Sequence, residues 1–453
     1  MYQLHQLPQA NILNPAVDFG CKLYVELPVI SSIQFAYNNT SFTYQDLIHQ
    51  GTGQRADSLI IDLDNLYGNL RKNNAIRSEF QNVILGAGFH WKKYFISARI
   101  YQAHHAGLFY QKELIALKDG NWDTANDSPV SFSLSKNEAN AISYLGFSLG
   151  VSKQFNESVR VGAKINYLKG MINATTVESD LNIVTSDRPV TVGVNTNYEI
   201  NASMPLDYTR DSLGRIYSAR PVFDNFMGNY IFNKNRGLAI DLGIVYDYYP
   251  KLKLSASILN LGFIRWKTNA VKYKANGSIN LIGVDLDQYV NNSTDFLQLL
   301  RDTIQNSFNY TDSPTKYFTA LPVDIYAGGN YEITSKLHVG LVGNLYVYNY
   351  ATFPTLTATI NVKPNSLIDL TGSISYANRT LRNIGFALVL GNAPVNFYIA
   401  TDIFPVNYVV DDQSGLLFPS QSRSFNVRFG FNLVFGCKNR IKKSSGFICP
   451  AYD

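Results

Sequence analysis

The stretch Ser158-Val159-Arg160-Val161-Gly162-Ala163-Lys164-Ile165-Asn166-Tyr167 puts Val159, Val161, Ala163, Ile165 and Tyr167 on one parity and Ser158, Arg160, Gly162, Lys164 and Asn166 on the other. Successive side chains of a β-strand point to opposite faces, so this is a strand with one apolar and one polar face. One such strand fits a soluble sandwich as well as a membrane barrel. The pattern recurs along the chain, however. Leu252, Leu254, Ala256 and Ile258 oppose Lys253, Ser255 and Ser257, and Val323, Ile325 and Ala327 oppose Asp324, Tyr326 and Gly328. Leu337, Val339, Leu341 and Leu345 oppose Lys336, His338, Gly340 and Asn344, while Ile368, Leu370 and Ile374 oppose Asp369, Thr371 and Ser373. Val395, Phe397 and Ile399 oppose Asn396, Tyr398 and Asp402.

The strands can be counted through their turns. Trp91-Lys92-Lys93, Phe155-Asn156-Glu157, Tyr249-Pro250-Lys251, Ile333-Thr334-Ser335, Lys363-Pro364-Asn365 and Gly391-Asn392-Ala393-Pro394 are tight polar turns, each closing a hairpin. Six hairpins supply twelve strands. An opening strand within Cys21 to Tyr37 and a closing strand, Ser424 to Phe435, bring the total to about fourteen. The material between hairpins is longer, notably from about 104 to 141, 172 to 236 and 262 to 320. Short turns at one end and long loops at the other are the asymmetry of an outer-membrane barrel, short end periplasmic. The fold expected is therefore all-β, a transmembrane antiparallel β-barrel over residues 21–435. Short helices sit in its extracellular loops, a plug-like or periplasmic segment occupies 1–20, and a basic periplasmic tail occupies 436–453.

Composition agrees with this reading. The 453 residues contain no linker between two cores, only 16% are charged, and 30 Tyr and 27 Phe stand against 4 Met. Mean hydropathy is -0.09, as it must be when lipid-facing apolar residues alternate with polar lumenal ones. No apolar run approaches the length of a membrane-spanning helix. The formal charge is only +5 and the Lys and Arg residues are scattered, which excludes nucleic acid as a partner. Met1-Tyr2-Gln3-Leu4-His5-Gln6 has neither a basic nor an apolar leader region. Export to a Gram-negative outer membrane, with its lipid as the first partner, is thus expected to use a signal peptide not present in this chain.

Little in the sequence carries chemistry. No phosphate loop, dinucleotide turn, zinc spacing or nucleophile elbow is found, so no cofactor, metal or enzymatic activity is expected. A rim histidine, His104 or His105, could imitate the barrel lipases but has no partner placed by the sequence. Alternation sends Arg160, Lys164, Asp324, Lys336, Asp369, Asp402 and Arg428 to the lumen, where mixed charges suit internal salt bridges as well as a selectivity filter. Leu59, Leu63, Leu66 and Leu70 predict a helix within Ser58 to Arg71, and Phe296, Leu299, Leu300, Ile304 and Phe308 predict another within Asn292 to Phe308. The acidic pairs Asp62/Asp64 and Asp285/Asp287 are read as solvated carboxylates rather than calcium ligands. Cys21, Cys437 and Cys449 all fall at the periplasmic end. A disulfide from Cys437 to either Cys21 or Cys449 is therefore plausible in an oxidising periplasm.

Three resemblances follow from particular residues. In the closing strand, Arg428, Gly430, Leu433 and Phe435 match the spacing of the C-terminal signal read by barrel-assembly machinery. Leu7-Pro8-Gln9-Ala10-Asn11-Ile12-Leu13-Asn14-Pro15-Ala16-Val17, with Leu27-Pro28-Val29-Ile30-Ser31-Ser32 and Ser41-Phe42-Thr43-Tyr44-Gln45-Asp46-Leu47, resembles an uncharacterised family of barrels from bacteria with type IX secretion. Asn14-Pro15-Ala16 is also similar to the N-terminal hatch motif of FadL-type transporters and of the PorV and PorP/SprF barrels of secretion and gliding. The resemblance implies a non-enzymatic barrel of one of two kinds. The first is a docking or anchoring component for surface-exported proteins or secretion machinery, with a protein partner on the extracellular or periplasmic face. The alternative is a FadL-like uptake channel for a hydrophobic ligand. Docking is the reading this sequence favours.

Overall fold

The structure is a computed structural model. It describes residues 1–437 except 5–6, 18, 29, 52, 54–57, 124, 187–190, 211–215, 283–307, 350, 366, 379, 392, 403–407, 411–416 and 420. Its wall is a closed antiparallel sheet. In chain order the strands are β1, in two halves (Leu23–Glu26 and Ile33–Asn39), β2 (Asn73–Trp91), β3 (Tyr94–Gln111), β4 (Glu138–Gln154) and β5 (Val159–Ser186). There follow β6 (Arg236–Tyr249), β7 (Leu252–Trp266), β8 (Val323–Thr334), β9 (Leu337–Tyr348) and β10 (Ala351–Val362). The last four are β11 (Ile368–Ala377), β12 (Thr380–Leu390), β13 (Val395–Thr401) and β14 (Ser424–Phe435). Each pairs with the next, and β14 returns to β1 with Leu23 opposite Phe435, Glu26 opposite Asn432, and Ile33 opposite Phe429. The fourteen-strand barrel and the six tight turns that the alternation predicts are thus both present.

Closure is imperfect at one place, and the sequence explains how it is accommodated. Six residues, 27 to 32, separate the halves of β1, yet only Gly430 and Phe431 separate the matching partners on β14. The surplus loops out as a wide bulge. It is tied back by the Phe431 amide donating to the Ile30 carbonyl (3.0 Å) and the Ser31 hydroxyl donating to the Phe431 carbonyl (2.7 Å). A Cβ on residue 430 would lie 1.9 Å from the Ser31 carbonyl oxygen, so glycine at this point of the closing strand has a local steric reason.

The outer face is apolar: Leu149 is 69% exposed and Ile165 58%, with Leu242, Leu261, Leu341 and Ile384 likewise open. Residues so apolar are stable there only against lipid. At the short-turn end Trp91, Phe155, Tyr249 and Tyr331 are exposed, and Lys92 and Lys153 lie over Trp91 and Phe155. This is an interfacial girdle of aromatic rings with cations on its aqueous side.

At the other end the long connections are not all loop, as their length alone suggested. β5 runs on beyond the wall, where its upper half leaves β6 and pairs with Thr191–Ser203, which pairs in turn with Ala270–Ile282 and then Phe308–Pro314. The wall is tall there and low where β9 to β12 meet in tight hairpins. Of the two expected loop helices, the first is shorter than predicted. Leu63–Asn69 is helical, with the Asp62 carboxylate accepting from the Asn65 amide, but Leu59–Ile61 is a strand paired with Ile48–Gln50. Leu66 and Leu70 pack on Tyr110, while Leu59 and Ile61 stay exposed. The second falls mostly outside the described residues, and Phe308 opens a strand. Replacing Ile165, near mid-wall on the lipid face, by Arg should cost about 2–4 kcal/mol in reversible urea unfolding from lipid, and Arg at Phe155 in the interfacial girdle should cost far less.

Candidate functional site

Period-two alternation gives the barrel a polar inner face, and the N-terminal segment packs against it. Residues 1–4 and 7–17 are held by local backbone bonds, including Leu7 amide to Leu4 carbonyl, Ala10 to Leu7 and Asn14 to Ala10, and they contain one helical turn, Ala10–Leu13. Leu4 and Leu7 pack on Ala387, Val389, Tyr398 and Ala400 of β12 and β13. Tyr2 stacks on Tyr326 of β8 with ring centres 4.9 Å apart. Phe19 packs on Tyr24 and Phe95 beside Cys21, which forms a disulfide with Cys437 across the base of the seam. Cys449 and the tail beyond 437 lie outside the described residues.

Two polar locks fix this segment. Gln9 is wholly buried and sits on the seam. Its amide nitrogen donates to Glu26 Oε1 (3.2 Å) and to Asn432, and Asn432 Nδ2 returns a bond to Gln9 Oε1 (2.9 Å). Glu26 and Asn432 face one another across the β1–β14 pairing, so Gln9 bridges the first and last strands from within. Glu26 is neutralised by Arg99 of β3 through two bonds, 2.8 and 3.1 Å. The second lock is Asn14-Pro15-Ala16. Asn14 Nδ2 donates to the carbonyls of Ile244 and Ala256 (both 3.3 Å), Asn14 Oδ1 accepts from the Ala16 amide, and Ser257 Oγ donates to the Leu13 carbonyl. The lock fits because Gly162 of β5 and Gly243 of β6 are opposite one another and bare. A Cβ at Gly162 would stand 2.3 Å from the Pro15 carbonyl carbon, and one at Gly243 2.1 Å from Asn14 Oδ1.

Beyond this segment the lumen holds a cavity of about 280 Å³. Met1, Tyr2, Gln3, Ile12 and Leu13 form one side of it. On another side Arg77 of β2 reaches across the lumen, its guanidinium 4.5 Å from the Tyr346 ring and 3.7 Å from the Phe353 ring. Of the lumenal candidates, Lys164, Asp324, Asp402 and Arg428 line this cavity. Lys164 donates to the Asn11 carbonyl, Asp324 accepts from Asn344 (3.1 Å), and Asp402 lies 3.6 Å from the Met1 amino group. Arg160 lies near the Phe155–Glu157 turn bonded to Gln154, and Asp369 is buried beside Asn361 and Lys363. Lys336 is not lumenal: β9 begins only at Leu337, so Lys336 sits exposed in the Ser335–Lys336 turn, where alternation no longer applies. His105 faces the cavity, but His104 is on the opposite face against Phe80, so the adjacent histidines do not form one site. Among the described residues no cluster of three or more ligating side chains could hold a metal.

Sequence reasoning passed over Gln9, Glu26, Arg99 and Arg77. The second lock is signalled by the Asn14-Pro15-Ala16 motif, while the glycines at 162 and 243, both on the polar parity of a wall strand, mark its seat. Outside the membrane, the Asp312 carboxyl is held below its usual range chiefly by the side-chain bonds from Arg210 (2.9 Å each), which tie the paired strands Leu206–Arg210 and Ile216–Pro221 to the extended sheet.

Residues 15–402 match the family of unknown function DUF5723. The chain belongs to that family. A search of curated proteins finds no match to it. Solved structures aligning along nearly its whole length include the Ralstonia pickettii toluene transporter TbuX, at 9% identity over 95% of this chain and 94% of that one, TM-score 0.41. A Pseudomonas aeruginosa FadL homologue aligns at 8% identity over 95% and 94%, TM-score 0.37. The Pseudomonas putida toluene transporter TodX aligns at 10% identity over 94% and 92%, TM-score 0.37. These are too remote for an argument about function to rest on them. For this DUF5723 barrel the glycine notch gives a direct test of the second lock. Gly162→Val should expel Pro15 and expose the N-terminal segment to protease, while the barrel keeps its heat-modifiable mobility on gels; a segment that stays protected would contradict the packing described.

Proposed function

We propose that this outer-membrane barrel is an uptake channel for a small amphipathic organic molecule and that residues 1–20 are its plug. The observation that carries the reading is the combination of an occupied lumen with a cavity left beside the occupant, walled by Tyr101, Tyr144, Tyr326 and Phe353 together with polar side chains. A barrel meant only to present loops or a tail to a partner has no use for a shaped lumenal pocket. Rings with polar groups among them are the usual lining of small-molecule sites. The plug is fastened through hydrogen bonds at Gln9 and Asn14 and through small apolar patches, attachments that can be released without unfolding the wall. No finding favours the docking reading over this one.

The test is proteoliposome swelling in isosmotic solutions of small solutes. The intact protein should admit solutes slowly, and Gln9→Ala combined with Asn14→Ala should raise the rate several-fold with the barrel still folded. Rates equal to those of protein-free liposomes for both proteins would defeat the uptake reading.

A further inference from the structure

We infer that the lumenal cavity is a binding site for a compact organic carboxylate, with Arg428 of β14 as the group that receives the charge. The inference rests on the uptake reading only for its biological purpose; the site itself follows from charge and hydrogen-bond accounting around the cavity.

The carboxylates that line the cavity all have partners. Asp402 accepts from Asn426, Asp324 has Asn344, Asp241 accepts from Asn166 and from the Asn260 amide, and Glu79 lies 3.8 Å from Arg77. Two of the cations are also committed, Arg99 to Glu26 and Lys164 to the Asn11 carbonyl. Arg428 differs. It is 7% exposed, and although Asp402 attracts it from a greater distance, no carboxylate among the described residues forms an ion pair with it. Among the described residues its one hydrogen bond is from Nη2 to Gln81 Oε1 (3.2 Å), and its Nη1 has no partner there. A buried guanidinium with an unused donor is unfavourable unless an acceptor reaches it, and a guanidinium fork suits a carboxylate.

The surroundings narrow the ligand further. Gln34 of β1 is the register partner of both Arg428 and Gln81, so the three side chains form a row across adjacent strands. Gln34 Oε1 is buried and also without a donor, so the ligand should offer one beside its carboxylate. The Arg77 Nε is likewise unsatisfied near the Phe353 ring. Asn344, Thr355, Thr357, Thr359, Ser375 and Asn426 line much of the rest. A long hydrocarbon chain against these groups would strip them of water and return nothing. A cavity of about 150 Å³ accommodates benzene, so 280 Å³ leaves room for a ring with two or three polar substituents. The expected ligand is thus a small, ring-bearing carboxylate with a hydroxyl or amide donor.

The probe is 4-hydroxybenzoate, titrated calorimetrically into the full-length protein in lipid nanodiscs, with uncharged 4-hydroxybenzamide and inorganic phosphate as comparisons. 4-Hydroxybenzoate should bind at least tenfold more tightly than either. Arg428→Gln should lower its affinity at least tenfold, and so should Gln34→Glu, which sets an internal carboxylate beside the guanidinium without touching β14. Should Arg428→Gln fail to assemble, Gln34→Glu decides. Equal binding of the amide, tighter binding of phosphate, or indifference to Gln34→Glu overturns the inference. Swelling without 4-hydroxybenzoate binding would leave the channel standing and remove this site; binding without passage of any solute would do the reverse.

Discussion

The seam between β1 and β14 is the constraint on which the rest depends. A backbone polar group facing hydrocarbon has no water to bond, so a transmembrane sheet must leave no free edge. The last strand made must therefore find the first, and here the first is interrupted by a six-residue bulge that only Gly430 allows to pack against β14. The two strands are joined twice more, by Gln9 from the lumen and by the Cys21–Cys437 disulfide below. The cysteines are 416 positions apart in the sequence, and Gln9 and Asn432 are 423 apart, so both ties join opposite ends of the chain.

The Gln9 contact rests on a buried ion pair. Glu26 and Arg99 are almost wholly removed from solvent, and desolvating both charges costs much of what their attraction returns. Removing either alone would strand the other, a loss of about 3–5 kcal/mol. The pair is thus better understood as an address than as a source of stability. It creates, at one point of a generic wall, polar atoms that only a side chain like Gln9 arriving from the lumen can satisfy. The Gly162–Gly243 notch does the same by shape for Asn14 and Pro15. Together they explain how a segment of about twenty residues with almost no regular structure takes a single position inside a barrel.

The wall was legible because its physics is periodic: lipid on one side and lumen on the other write the two-residue alternation into every strand, and the turns punctuate it. The extended sheet above the membrane was less so, because Thr191–Ser203 is at least half-buried on both faces along nearly its whole length and its burial does not alternate as it does on a wall strand. Within Ser58 to Arg71 the helical leucine spacing runs longer than the helix, because Leu59–Ile61 pairs with Ile48–Gln50 as a strand. The site was barely legible. Asn14-Pro15-Ala16 stood out as a motif, but Gln9, Glu26, Arg77 and Arg99 carry meaning only through partners tens to hundreds of residues away, and no local pattern reports such distances. Lys336 shows the opposite error, alternation extended one residue past the strand's end.

The N-terminal segment is a fixed part of the lumen, tied to the seam. Hydrogen exchange of the full-length protein in lipid nanodiscs, read by mass spectrometry over peptides spanning residues 4–17, tests it most directly. The backbone bonds within that segment and its burial predict protection for hours, comparable with the wall strands. Complete exchange within seconds, as for a free tail, would contradict it.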